Sequence, residues 1–212
     1  MQTFTPYSDF EASARALDTK RLGKQRVEVI QIVRALTVPG YAWGSHPAVL
    51  MWKGYEEALG RYGITMCDVW TELGFGDTCA ATIAEDLRAV GITSIRSYPQ
   101  LRDEGALPGW LFTEEVQRSH RSSLVRKDPE HYRPLFPDVP DDIEYFWPVR
   151  SPVVVERELR KLENARRREQ RAAEKLAQEA AKARRRRSEA AQRGWQTRAA
   201  NLAAKQRDQL DR

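Results

Sequence analysis

A chain of 212 residues, 41% hydrophobic and 9% aromatic, holds enough apolar material for one ordinary core, which excludes a wholly disordered polypeptide. No run approaches the ~18–20 consecutive apolar residues of a membrane span, and the start lacks a basic-then-apolar signal pattern, so the expectation is a cytoplasmic protein, nucleoid-associated at most, with no membrane partner. The net charge of +5 conceals a split: of 35 basic and 30 acidic residues, 18 and 9 fall between Glu156 and Arg212. That leaves a mildly acidic body of 17 and 21 and a basic tail, whose expected partner is a polyanion, nucleic acid first.

In chain order, Gln2 to Thr5 reads strand-like but too short for a sheet. Ser8 or Asp9 caps a short helix to about Leu17, and Asp18 caps the next, which reaches about Leu36 before Pro39-Gly40 stops it. Pro47 suits the first turn of a third helix to about Tyr62, with a further helix from Thr65 to Leu73. A helix after Asp77 to Val90 and one opened by Thr113-Glu114-Glu115, to about Arg126, complete an all-α body. Prolines 129, 134, 137, 140, 148 and 152 then impose an extended wrap, whose aromatics Tyr132, Phe136, Tyr145, Phe146 and Trp147 pack across the body. Beyond Pro152 the Ala, Arg, Glu, Lys and Gln composition, without Gly or Pro until Gly194, predicts a long basic helix with Glu156/Arg160 and Glu163/Arg167 at i,i+4. Leu159, Leu162, Leu176, Leu202 and Leu210 keep no heptad, so a long coiled coil is not expected. The expected division is a helical domain over 1–152 and a basic helical tail over 153–212.

At 100° per residue, Leu22, Val29, Val33 and Leu36 form the buried stripe of the second helix, and Arg21, Lys24, Glu28 and Gln31 lie opposite it. Two readings stand. One is a solvated face with an ordinary Lys24/Glu28 pair; the other is the polar wall of a cleft, with cations for phosphates and a carboxylate for acid–base chemistry. His46, at a helix start, is either a cap or part of a facing wall. His120 and Arg121, with Arg126 and Lys127 at the end of the same helix, are either surface charge complementing the helix dipole or a patch that holds phosphates. Three histidines without paired spacing, and Cys67 and Cys79 without a CxxC, give no metal site; nor is there a P-loop, GxGxxG or GxSxG, so no metal or organic cofactor is expected. In the tail, Arg184, Arg185, Arg186 and Arg187 form the densest charge block, and Trp195 stands between Arg193 and Arg198, side chains suited to phosphates and to stacking on a base.

Three stretches together carry a family resemblance: Leu17-Asp18-Thr19-Lys20-Arg21-Leu22-Gly23-Lys24-Gln25-Arg26-Val27-Glu28 with Gln31; His46-Pro47 with Met51-Trp52 and Tyr55; and Ser119-His120-Arg121 through Asp128-Pro129-Glu130-His131-Tyr132. Over roughly residues 1–150 the chain resembles the bacterial and phage pyrimidine-dimer DNA glycosylases. The resemblance implies an all-helical DNA-repair fold in which the free α-amine of a processed amino-terminal threonine attacks deoxyribose C1′ beside the dimer. An imine and β-elimination follow, a glutamate on a nearby helix assists, and arginines hold the phosphates. Here residue 2 is Gln, a bulky side chain that keeps Met1 in place, and alignment through Arg26-Val27 puts Gly23 where that glutamate stands; Glu28 is the nearest carboxylate on the polar face.

The resulting expectation is a glycosylase, with possible lyase activity, whose catalytic set is Glu28, Lys24 and Met1. An α-amine, ordinarily near pKa ~8, is preferred as nucleophile to a lysine near ~10.4. Lys20, Arg21, Gln31, His46, His120, Arg121, Arg126 and Lys127 are expected on the DNA, and Arg184, Arg185, Arg186, Arg187, Trp195 and Arg198 in a non-specific arm. The expected partner is damaged double-stranded DNA, with no obligate protein partner. The rival expectation is a non-catalytic DNA-binding or architectural protein that keeps the fold; a tail that binds RNA or acidic protein is a third.

Overall fold

The computed structural model describes residues 1–150 and 152–210, with the side chains of 153, 154, 183 and 200–210, and so those of Leu202 and Leu210, outside the description. Regular structure among the described residues is all-helical, without a strand, and the chain divides into two compact units, Met1–Pro152 and one that begins at Val153.

The early helices start where short polar side chains meet orphan N–H groups. Asp9 accepts from the Ala12 N–H at 2.8 Å to open α1 (Phe10–Ala16), and Asp18 accepts from the Arg21 N–H at 3.1 Å to open α2 (Thr19–Thr37). Leu22, Val29, Ile32 and Val33 of α2 are fully buried against α4 (Glu56–Glu72) and α5 (Cys79–Arg88), which makes α2 the central helix of the body. Close approach of α4 depends on Gly63, where a Cβ would sit 2.6 Å from Val29 Cγ1 and 2.8 Å from Ile83 Cδ1. Aromatic edges fill the other side of the core: Phe10 meets Tyr62 at 5.3 Å and Tyr98 at 4.9 Å, and Trp52 meets Trp110 at 5.0 Å.

The third helix corrects its expected limits. α3 (Pro47–Leu50) ends after one turn, the chain bends through Gly54 at φ 84°, and α4 runs unbroken past Tyr62 and Thr65. The helix break is set by the glycine that needs a left-handed backbone, whereas Gly63, which reads as a break, serves packing. Two short elements carry no expectation, α6 (Tyr98–Asp103) and a 3₁₀ turn (Gly109–Phe112), and α8 (Pro129–Tyr132) corrects the start of the expected extended wrap: Pro129 opens a helical turn that Asp128 caps. α6 has a full capping box of Ser97 and Gln100, a signal legible as S-x-x-Q. α7 (Glu114–Lys127) lies where expected, and the proline-rich strap lies along it: Ser122 Oγ accepts from the Ile143 N–H at 3.0 Å, and Ser123 donates to the Tyr145 hydroxyl at 2.8 Å.

The second unit is a 59-residue helix, α9 (Pro152–Leu210), on which Leu159, Leu162, Leu176 and Trp195 are all exposed. No helix among the described residues is long and apolar enough to cross a membrane.

Candidate active site

The segment that reads as a strand is extended, but its donors are taken by side chains instead of a neighbouring strand. The Gln2 N–H donates to Glu28 Oε2 at 2.8 Å, the Phe4 N–H to Gln25 Oε1 at 2.8 Å and the Thr5 N–H to His120 Nδ1 at 3.0 Å. Tyr62 donates to the Phe4 carbonyl and to Gln25 Oε1, both at 2.8 Å, and Trp52 Nε1 donates to Thr3 Oγ1 at 3.0 Å. Residues 2–5 are thus fixed between α2 and α7 by hydrogen bonds to buried side chains, and Gln2 Oε1 alone of the buried side-chain atoms described lacks a partner.

Between this segment, the first turns of α2 and the strap lies a pocket of about 440 Å³. Met1, Gln2 and Phe4 form its floor, Tyr145 and Trp147 of the strap one side, and His46, at the cap of α3, another. α2 contributes Lys20, Arg21, Lys24, Gln25 and Glu28, and Lys127 reaches in from the end of α7. Four side-chain cations therefore surround one carboxylate. Glu28 is the buried member, its side chain 7% exposed, while Lys24, 3.3 Å from Glu28 Oε1, is 70% exposed. Arg21, Lys24 and Glu28 of the polar stripe line this pocket, whereas Gln31 stays exposed outside it. Burial and the neighbouring Arg21, Arg126 and Lys24 push the Lys127 ammonium below its ordinary range, the mark of a cation cluster in want of anions.

The cations differ in freedom. Arg21 is locked: Nη1 bonds Asp18 at 2.7 Å and Asp128 at 3.3 Å, Nη2 donates to the Lys127 carbonyl at 3.0 Å, and the guanidinium lies over the Tyr132 ring at 5.6 Å. It ties the start of α2 to the end of α7 and so sets the width of the pocket. His46 accepts from the Ala48 N–H on Nδ1 at 3.1 Å, which places its proton on Nε2 when neutral, and burial followed by the nearby amino-terminal charge lowers its pKa.

Four expected site residues lie elsewhere. His120 is fully buried behind Gln2, where it anchors the amino-terminal segment and cannot meet DNA. Arg121 turns away to the Pro6 carbonyl at 2.7 Å, Gln117 and Glu114, with its guanidinium over Tyr7. Arg126 donates to the Asp141 carbonyl at 2.9 Å and holds the strap. Gln31 is exposed and outside the pocket. The tail residues belong to the other unit. Gly23 also faces away from the pocket: a Cβ there would come 3.0 Å from the Trp70 ring, so a carboxylate at that position would not reach the site that Glu28 occupies.

Residues that the sequence reading passed over include Gln25, Phe4, Tyr145 and Trp147. Gln25 lies one turn beyond Arg21 and three residues before Glu28, so the helical period already places it on the same wall. Beside the pocket stands Trp43, 62% exposed and at φ 76° the one non-glycine with positive φ among the described residues. Its ring meets His46 edge-on at 5.9 Å, and His46 meets Trp147 at 5.9 Å. Backbone strain of this kind persists where the surroundings enforce it.

His120 makes the amino-terminal anchor sensitive to acid. Burial pushes its pKa down to about 3, and protonating Nδ1 removes the acceptor for Thr5. A depressed histidine binds its proton in the unfolded chain first, so stability falls as pH drops below the unfolded value near ~6.5, at about 1.4 kcal/mol per pH unit. Between pH ~6.5 and ~4.5, above the range where most carboxylates titrate, urea denaturation is expected to show a loss of about 2–3 kcal/mol from His120 that His120→Gln removes, leaving the smaller loss that His46, its pKa also lowered, contributes. Equal slopes in the two proteins would refute the anchoring role.

Among the described residues no group of three or more His, Cys, Asp or Glu side chains is placed to hold a metal ion. No curated protein and no solved structure matches the chain. Residues 1–83, which supply nine of the twelve pocket-lining residues, match the family model described as pyrimidine dimer DNA glycosylase.

Proposed function

We propose that the pocket excises pyrimidine dimers from duplex DNA by attack of an amine on deoxyribose C1′, with strand cleavage through the resulting imine. The observation that carries this reading is Glu28: a carboxylate buried in a cation-lined pocket, hydrogen-bonded at 2.8 Å to the main-chain nitrogen of residue 2. That contact brings the amino-terminal amine and the carboxylate into one cavity, the two groups that imine chemistry needs. The amine nitrogen bonds to C1′ and gives up a proton as the glycosidic C–N bond of one dimer base breaks; that base takes up a proton and stays tethered through the cyclobutane ring to its neighbour. Ring opening gives the imine, and loss of the C2′ proton expels the 3′ phosphate. In this reading Glu28 stabilises the positive charge developing at the sugar and then takes the C2′ proton.

The Met1 α-amine is the preferred nucleophile because the next residue's nitrogen is already held on Glu28; the alternative is Lys24, which also lines the pocket. Lys20, Lys127 and Arg21 are proposed to bind the phosphates flanking the lesion, and His46 with Trp147 and Tyr145 to receive its sugar and bases. His120, Arg121, Arg126 and Gln31 drop out of the DNA-contacting set. α9 adds non-specific grip on nucleic acid.

The test is borohydride trapping of the full chain on duplexes that carry a cyclobutane dimer or an abasic site, with peptide mapping of any adduct. A trapped adduct on the dimer duplex at Met1 is the expected result, and one at Lys24 would reassign the nucleophile. Absence of both an adduct and alkali-labile sites on the dimer duplex would overturn the enzyme reading and leave a duplex-binding protein.

A further inference from the structure

The basic tail is a helix, so its charge has a direction, and that direction is uneven. Between residues 156 and 199 there are 15 basic and 7 acidic side chains. At about 100° per residue, 11 of the 15 fall within an arc of about 120°: Arg157, Arg160, Lys161, Arg167, Arg168, Arg171, Lys175, Lys182, Arg185, Arg186 and Arg193. Only Glu179 and Glu189 are acidic within that arc, Arg185 pairing with Glu189 at 2.9 Å, and none of its residues is apolar. The remaining circumference holds 4 basic and 5 acidic residues, so the whole surplus lies on one face. The run of four arginines divides with it: Arg185 and Arg186 point with the basic face, Arg184 and Arg187 with the opposite one. That opposite face carries Leu159, Leu162, Leu176 and Trp195 among alanines, with Arg166, Glu169, Arg184 and Arg187 interspersed.

We infer that this single face of α9 is a docking surface for the phosphate backbone of undamaged duplex DNA, lying along the duplex as a straight rod. From Arg157 to Arg193 the face extends roughly 54 Å at 1.5 Å per residue, which matches about 16 base pairs at 3.4 Å each. A row of cations along the helix meets phosphates of the two strands in turn as their backbones wind past it, and each contact releases counterions. A lipid surface fits less well, because the opposite face has four large apolar side chains in some forty residues and charged residues among them, too little to bury in an interface. The choice of DNA among polyanions rests on the glycosylase reading of the body; the choice of face does not.

Two variants of the full chain with equal loss of charge separate geometry from composition. One removes four cations from the face (Arg160→Gln, Arg168→Gln, Arg171→Gln, Lys175→Gln); the other removes four from the opposite side (Arg166→Gln, Arg184→Gln, Arg187→Gln, Arg198→Gln). Glutamine preserves helix propensity, which circular dichroism checks. Binding to an undamaged 30-base-pair duplex is measured across salt concentrations. For the face variant the slope of log K against log salt is expected to fall by about 3–4, at ~0.9 per lost phosphate contact, with affinity down at least tenfold at physiological salt; the opposite variant should change the slope by less than about 1. Equal losses, or none in either, overturn the proposal. Tighter face-dependent binding to an RNA duplex or to anionic lipid vesicles would overturn DNA as the partner. Because the probe carries no lesion, a chain that processes no lesion yet shows the face-dependent slope would sink the glycosylase reading and leave the face.

Discussion

Glu28→Gln is expected to lower dimer processing by about 10²–10⁴-fold, the usual weight of a positioned proton-transfer group, with little change in stability. The glutamine keeps an oxygen that accepts from the Gln2 N–H, so the amino-terminal segment remains in place, but it carries neither charge nor a transferable proton. The pair it gives up with Lys24 spans 3.3 Å and has one partner 70% exposed, an arrangement worth little in water. Single-turnover formation of alkali-labile sites on a dimer duplex measures the loss, and the thermal midpoint shows whether the fold survives. Glu28→Ala adds a structural effect, because it also leaves the Gln2 N–H without its partner. Lys24→Ala separates the two amines: the trapped adduct persists if the α-amine attacks and vanishes if Lys24 does. A Glu28→Gln protein with undiminished turnover would show that the carboxylate only holds the amino terminus.

The elements legible in the sequence are those set by local chemistry. Asp9 and Asp18 cap α1 and α2 because a short carboxylate before a helical period meets free N–H groups in any context. The tail helix follows from composition alone. What the sequence hides is decided between elements. Gly63 reads as a helix break, yet its lack of a side chain is what lets α4 approach α2, a fact of the neighbour Val29 and not of the local chain. His120 and Arg121 read as a basic patch because adjacent polar residues on a helix usually face water. The amino-terminal segment needs an acceptor for the Thr5 N–H and a donor for the Pro6 carbonyl, and His120 and Arg121 are absorbed in supplying them. The cleft wall on α2 was visible as a stripe, but not its depth, because burial of Glu28 comes from residues 1–5 crossing over it. The strap aromatics read as packing across the body; that two of them, Tyr145 and Trp147, flank the same cavity depends on the irregular course of the chain after α8, which no periodicity encodes.

Removing one partner of the buried pair between α2 and α5 is expected to cost stability most. Arg26 and Asp77 have side chains only 9% and 7% exposed, and their contact is closed further by the Trp70 ring, 4.4 Å beneath the guanidinium. Burial pushes the Asp77 carboxyl up, but the N–H of Ala80 and the Arg26 guanidinium outweigh it and hold the group below the ordinary carboxylate range. Asp77 also accepts from the Ala80 N–H at 2.8 Å, so it starts α5 as well as pairing across it. Arg26→Met leaves that carboxylate buried beside an apolar chain and is expected to lower unfolding free energy by about 3–5 kcal/mol, read as a shift in the urea midpoint. Asp77→Asn keeps an oxygen for the cap and neutralises the charge, so the double variant is expected to recover most of the loss; a buried ion pair and an uncharged replacement of similar size are often close in stability. If the single and double variants lose equally, the cost is one of packing under Trp70 and not of an unpaired charge. In either case Arg26 and Asp77 lie outside the pocket, so formation of alkali-labile sites per folded molecule should hold at the wild-type rate: the pair fixes α2 in place and leaves the chemistry to the opposite face of the same helix.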